Sequence, residues 1–353
     1  MTSTYADRIA TYDSTDMYSV LCDYPGQIRT GLDIGNTVNL STIDTNAIRN
    51  LLICGMGGSA IGGDIFRVFA ASKSPVPILV NRDYGLPAWV DHGTLVVVLS
   101  YSGGTEESLS AYDEAGVRGA ARIVVTSGGE LLERAERDGV PVAIVPGGLA
   151  PRCALGYLFF SLLVIAARCD VFDLGQSALR ALLMDVEAAT KDLADYTNEE
   201  NPAVRIAERL RGTIPVLYGG QAFMDAILTR WRCQIEENAK VLAYSNVLPE
   251  MNHNEIVGWE QLPDVLKRIS VVALHDLADP APLRKRLAIT LDIVRPLAAN
   301  VIEVHATEEN ELSRVFGLIL LGDWVSFYLA VGSGVDPFPI RNINHLKNAL
   351  KSQ

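Results

Sequence analysis

The sequence predicts an α/β chain built on two parallel sheets, each flanked by helices and together preceded by an N-terminal helical arm. From Leu51 onward, short β-rich runs alternate with stretches able to form helices, the pattern of a parallel sheet covered on both faces. The same rhythm restarts near Ile214, as though one α/β unit were duplicated. At 353 residues the chain also exceeds the size at which a single hydrophobic core stops growing, so two domains are expected.

Taken in order, residues 1–50 mix polar and apolar positions around a Pro25-Gly26 turn without a strong strand signal, and read as the helical arm. The first domain, 51–175, carries five strand candidates: Leu51 to Cys54, Val76 to Val80, Leu95 to Leu99, Ile123 to Val125 and Val142 to Val145. Within 176–212, Leu179, Leu182, Leu183, Val186 and Leu193 recur at helical spacing, and Asn201-Pro202 marks a break, which makes this segment a helical linker. The second domain, 213–335, offers Ile214 to Gly220, Ile269 to Leu274 and Val301 to Val304, then an apolar helix from about Leu312 to Leu329. Residues 336–353 form a C-terminal segment.

Composition narrows the function classes. With 49% hydrophobic and 20% charged residues the chain reads as globular, and its net charge of −12 opposes a nucleic-acid partner while leaving room for one small phosphate ester held by local donors. Cys22, Cys54, Cys153, Cys169 and Cys233 are odd in number and contain no C-x-x-C pair, which favours reduced thiols in a cytoplasmic protein over a disulfide frame or zinc knuckle. The start of the chain has neither the basic residues nor the apolar run of a signal peptide. Ala154 to Ala167 and Val315 to Leu321 fall short of the roughly 20 residues a membrane span needs, and the second runs into Asp323, so no membrane partner is expected.

Two turns carry the chemistry. Gly55-Met56-Gly57-Gly58-Ser59 and Ser100-Tyr101-Ser102-Gly103-Gly104-Thr105 each join a buried-strand run to a helix-capable stretch. In such a turn, backbone N–H groups converge on an anion at the positive end of the following helix, and small hydroxyls add short donors. Gly58, Ser59, Ser100, Ser102 and Thr105 are therefore the candidate phosphate ligands. No G-x-x-x-x-G-K-[ST] is present, and Gly55 to Gly63 fits a dinucleotide fingerprint only loosely. The matching turn of the second half, Gly219-Gly220-Gln221, has no hydroxyl where the first has Ser59, so only the first half is expected to hold phosphate.

The phrases CGMGGSAIGGD, SYSGGTEES, VTSGG, APRCAL, QIEENAK and PEMNHNEIVGW resemble those of sugar isomerase (SIS) domain proteins, specifically the bifunctional phosphoglucose/phosphomannose isomerases, from about Leu51 to Lys347. The resemblance implies two SIS subdomains, a homodimer, and interconversion of aldose and ketose 6-phosphates without metal or cofactor. It implies that Glu237 is the carboxylate base, with the adjacent Glu236 an alternative by one position, and that His253 carries the ring-opening proton transfer, often reaching the neighbouring subunit's site. Arg152 would stabilise negative charge on the enediolate, and Lys347, or Lys351 close by, would be the C-terminal active-site lysine. Read without the resemblance, each is an ordinary surface, loop or paired side chain. Glu250 and Glu255 near His253 suggest no metal site, since no second histidine is close and no H-E-x-x-H occurs.

Two departures bear on the activity. Gly104 stands where relatives commonly have Asn, with Ser102 and Thr105 retained around it. Asp336-Pro337-Phe338-Pro339-Ile340 lacks the threonine that enzymes accepting mannose 6-phosphate tend to carry in this region, so phosphoglucose activity is more strongly implied than phosphomannose activity. Two further readings use the same loops: a non-catalytic sugar-phosphate sensor, and an isomerase of another sugar phosphate.

Overall fold

Helices open the chain, as the polar–apolar mixture before Asn50 requires: α1 (Tyr5–Tyr12), α2 (Met17–Cys22) and α3 (Tyr24–Thr37). The computed structural model describes residues 4–221 and 223–351. They form two compact units, one of residues 23–184 and one of residues 1–22 with 185–353. The stretch expected as a single arm is thus shared, α1 and α2 belonging to the second unit and α3 to the first.

The first unit runs β1 (Asn50–Cys54), α4 (Gly57–Ala70), β2 (Ile78–Asn81), β3 (Thr94–Leu99), α5 (Glu106–Val117), β4 (Ala121–Thr126), α6 (Gly129–Asp138), β5 (Val142–Ile144) and α7 (Leu155–Arg168). Its strands pair in parallel in the order β2-β1-β3-β4-β5. β3 is buried at every position, as a central strand covered on both faces must be. Helix α7 is apolar nearly all round because it is enclosed, with α3 against it: Ser161 Oγ and Arg168 donate to the carbonyls of Gly31 and Gly35 at 3.1 and 2.7 Å.

Helix α8 (Gln176–Ala194) spans the boundary between the units, and α9 (Pro202–Leu210) begins at the expected break because Asn201 Oδ1 accepts from the N–H groups of Ala203 and Val204 while Pro202 needs no partner. There follow β6 (Ile214–Gly220), α10 (Phe223–Gln234), β7 (Tyr244–Leu248), the short α11 (Pro263–Leu266), β8 (Ile269–Asp276), α12 (Ala281–Val294), β9 (Asn300–Ala306), α13 (Glu311–Gly332) and α14 (Arg341–Lys351). The second sheet is parallel in the order β7-β6-β8-β9. β7 is an edge strand whose mixed residues are mostly half-buried, which is why no apolar run announces it.

Helix α13 is longer than its first apolar stretch suggests. It runs for 22 residues, through Asp323, enough by length and composition to cross a membrane, yet 83% of its most apolar window is buried within the protein. Asp323 interrupts nothing because Arg230 of α10 donates to it at 2.6 Å and Gln234 at 2.9 Å, all three side chains being buried. Trp231 Nε1 donates to Leu318 O at 2.8 Å, and Tyr18 of α2 meets Trp324 edge to face with ring centroids 5.4 Å apart. All five cysteines are free.

Candidate active site

In the first unit the loops at the C-terminal ends of β1 and β3 lie together. Ser59, in the first turn of α4, accepts from the Tyr101 N–H at 3.1 Å, which leaves its own hydroxyl proton to donate. Ser100 Oγ donates to Thr105 Oγ1 at 3.3 Å, and Thr105 is the residue preceding α5 without its side chain capping that helix. Ser102 Oγ accepts from Gly104 N at 3.5 Å, where Gly104 makes the turn in place of Asn. Gly103 has φ +66°, and a Cβ there would lie 1.7 Å from the Gly128 carbonyl oxygen, so only glycine fits this turn. The structure therefore brings Ser59, Ser100, Ser102 and Thr105 into one loop cluster.

Arg152 joins that cluster through the backbone. Gly58 packs so closely on Pro151-Arg152 that a Cβ on Gly58 would sit 3.0 Å from the Arg152 nitrogen, and the Arg152 side chain is 3% exposed. Tyr101, whose role the sequence did not reveal, ties these parts together. Its carbonyl accepts from Ser127 N and Oγ at 3.0 and 2.6 Å, while its hydroxyl donates to Pro146 O at 2.8 Å and accepts from Leu149 N at 3.1 Å. One buried residue thus anchors both parts, its backbone N–H holding the Ser59 turn and its side chain the segment that leads into Pro151-Arg152; burial pushes the Tyr101 hydroxyl pKa up, keeping it a donor.

The second unit holds the other candidates. Residues Ile235–Ala239, which contain Glu236 and Glu237, form one π-helical turn at the end of α10, a geometry concentrated at functional sites. Buried neighbours fix it: Asn238 Nδ2 donates to Ser326 Oγ at 2.9 Å, and Gln234 is held by Asp323. Lys240 closes the turn with φ +60° and donates to the carbonyls of Glu237 and Pro337. Glu236 and Glu237, both half-buried, line a cavity of about 870 Å³ together with Cys233, Lys240, Asp336 and Ile340. The Cys233 thiol pKa is raised by burial and by the two glutamates, so this neighbour is a neutral thiol. The segment expected to shape aldose choice, 336–340, therefore faces the expected base.

Neither His253 nor Lys347 lines that cavity. His253 is the exposed end of a 3₁₀ turn, Glu250–His253, anchored by buried Met251, beside which Glu255 accepts from Tyr218 Oη and from Asn246 Nδ2. Tyr218 also accepts from Trp259 Nε1 at 3.0 Å, so the Asn-His-Asn-Glu segment is held by its glutamate and presents the histidine outward. Lys347 lies on exposed α14, one turn beyond Ile343 of the cavity lining. The Gly219-Gly220-Gln221 turn opens on a different cavity, of about 570 Å³, lined by Asp276, Asp279, Leu248 and Leu283 among others. Carboxylates stand there where the first unit has hydroxyls, and Asp276 is already paired with Arg314 at 2.7 Å.

Residues 199–350 match the family model of the bacterial phospho-glucose isomerase C-terminal SIS domain. Over 337 residues, 95% of this chain and 98% of the relative, the sequence is 40% identical to the bifunctional phosphoglucose/phosphomannose isomerase of Caldicellulosiruptor bescii. The chain belongs to the bifunctional phosphoglucose/phosphomannose isomerase family. The family member of the same name from Aquifex aeolicus is 34% identical over 310 residues, covering 87% of this chain and 92% of the relative. Among solved structures, a hypothetical protein of Thermus thermophilus superposes with a TM-score of 0.77 at 16% identity, covering 99% of this chain and 93% of that one, a likeness of fold. The span matched by the family model contains the π-turn glutamates, His253 and Lys347, while the serine loops lie in the half that precedes it.

Proposed function

We propose that this enzyme interconverts glucose 6-phosphate and fructose 6-phosphate, with mannose 6-phosphate as a second aldose, through a cis-enediol(ate) and without a metal. The observation that carries the reading is the π-helical turn, which sets two half-buried carboxylates on one cavity wall facing segment 336–340. Ser59, Ser100, Ser102, Thr105 and the N–H groups around Gly58 hold the phosphate. Glu237 takes the proton from C2; the C2–H electron pair forms the C1=C2 bond and the C1 carbonyl electrons move onto oxygen, giving the enediolate. The C2 hydroxyl proton passes to the C1 oxygen as the C2 carbonyl forms, and the C1=C2 electron pair takes the proton back from Glu237 at C1, which completes the ketose.

Arg152 supplies the fixed positive charge that favours the enediolate, and His253 transfers the proton that opens the ring, contributed to the neighbouring subunit's site in a cytoplasmic homodimer. Lys347 completes the set from the C-terminal helix. The outward position of His253, away from the cavity of Glu237, supports sharing between subunits. A coupled assay offering glucose, mannose, glucosamine and arabinose phosphates tests the substrate class. Turnover of the first two supports the proposal, turnover of only the amino-sugar or pentose phosphate moves the enzyme to another substrate, and binding without turnover of any makes it a sensor.

A further inference from the structure

Among the described residues, His275, Glu303 and His305 form a group whose ligand atoms all lie within 4.8 Å of one another. The sheet register makes this group. β8 and β9 pair in parallel with His275 opposite His305, and Glu303, two residues earlier on β9, falls on the same face. The imidazoles stack with centroids 4.3 Å apart and planes at 17°. β9 is the edge strand of its sheet, and both Glu303 and His305 are exposed.

Three details point to a ligand rather than to a simple ion pair. His275 Nε2 lies 3.2 Å from Glu303 Oε2, yet the nitrogen is buried and makes no hydrogen bond, so closeness has not become a directed contact. That separation matches the roughly 3.3 Å ligand–ligand edge of a tetrahedron with metal–ligand bonds of about 2.0–2.1 Å. Glu303 is oriented from its far side, where Arg295 donates to Oε1 at 2.7 Å, leaving Oε2 turned toward the histidines.

We propose that His275, Glu303 and His305 bind a divalent transition-metal ion of the zinc type, which clamps edge strand β9 to β8. Two imidazoles and a carboxylate suit such an ion better than calcium or magnesium, which take all-oxygen shells. The exposed His305 closes the site by side-chain rotation, and water completes the shell. The three residues are absent from the lining of the cavity that holds Glu237, so the ion has no part in the proton transfer.

Zinc binding by the full chain, first stripped with chelator, is measured by competition with a chromophoric zinc indicator, and cobalt is substituted to read the visible ligand-field bands. The expected result is one zinc per chain with micromolar affinity, weakened at least about tenfold in His305→Ala and in His275→Ala, with loss of the cobalt bands. His92→Ala, an exposed histidine outside the group, should bind as the unaltered chain does, and isomerase turnover of His305→Ala should be unchanged. Absence of saturable zinc binding in the micromolar range overturns the proposal. So does binding that His305→Ala leaves intact, or that His92→Ala weakens equally.

Discussion

At the level of single residues, the π-turn makes the choice between Glu236 and Glu237 a sharp experimental question, because both line the same cavity and geometry alone does not separate them. Glu237→Gln keeps the size of the side chain and removes the carboxylate proposed to take the C2 proton, so kcat should fall by about 10²–10⁴-fold with little change in KM, whereas Glu236→Gln should be mild. Steady-state kinetics of the two variants decides; an inactive Glu236→Gln beside an active Glu237→Gln would move the base by one position. Gly103 offers a second residue-level prediction. An alanine there meets both the left-handed backbone, about 1–2 kcal/mol, and a carbonyl oxygen already in the space, so Gly103→Ala should lower the unfolding midpoint of the chain and raise KM for every 6-phosphate substrate together. These two side-chain roles were unequally visible beforehand: the serine loops announce themselves through glycine and hydroxyl spacing, but Tyr101 looks like any aromatic in a turn, and only the partners of its hydroxyl and backbone reveal what it holds.

At the level of elements, α13 and α10 form the frame on which the candidate base stands. Arg230, Gln234 and Asp323 are buried together immediately before the π-turn, so the pair that lets α13 pass through its own charge also fixes the angle at which Glu237 leaves α10. Removing one partner leaves the other charge buried, and Asp323→Leu should destabilise the second unit by about 3–5 kcal/mol in urea unfolding, with isomerase activity lost in proportion to folded protein. Replacement by a residue that shares the pattern, Asp323→Glu, should lose less. Strands β1, β2, β3, β4, β5, β6, β8 and β9 were legible because they carry continuous or alternating apolar runs, β2 lying at Ile78–Asn81 where Val76 to Val80 was expected. β7 was not, since Tyr244, Ser245 and Asn246 at a sheet edge carry little apolar signal. The π-turn was equally silent: Ile235 to Ala239 has ordinary helix-forming residues, and the extra backbone residue per turn is imposed by Asn238 and Gln234 finding partners on α13. Helix α13 was legible to within three residues at either end, from about Leu312 to Leu329 against Glu311–Gly332; what the aspartate concealed is that the apolar stretch continues past it, because its arginine cannot be seen in the sequence.

At the level of the whole chain, the two sheets repeat one plan, a central strand whose following turn points at the helix start, but the halves differ in what those turns display. After β1 and β3 the first unit presents Ser59 and the run Ser100 to Thr105; after β6 and β8 the second presents Gln221 and the acids Asp276 and Asp279. Burial raises the Asp279 pKa, yet Asp276 is paired with Arg314, and a dianionic phosphate entering there would meet the carboxylate oxygens of Asp276 and Asp279 beside Gln221 and Arg286. On the proposed assignment, the two scaffolds carry one phosphate site. Crystals grown with inorganic phosphate should show it bound at Ser59 and Ser100–Thr105 alone. Ser59→Ala, which removes the acceptor for Tyr101 N–H and the proposed donor to a phosphate oxygen, should raise KM about 10–100-fold. Gln221→Ser should leave KM unchanged and create no second site, because the acids behind it remain. Phosphate seated at Gly219-Gly220 in the unaltered chain, or a KM indifferent to Ser59→Ala, would reverse the assignment of the halves.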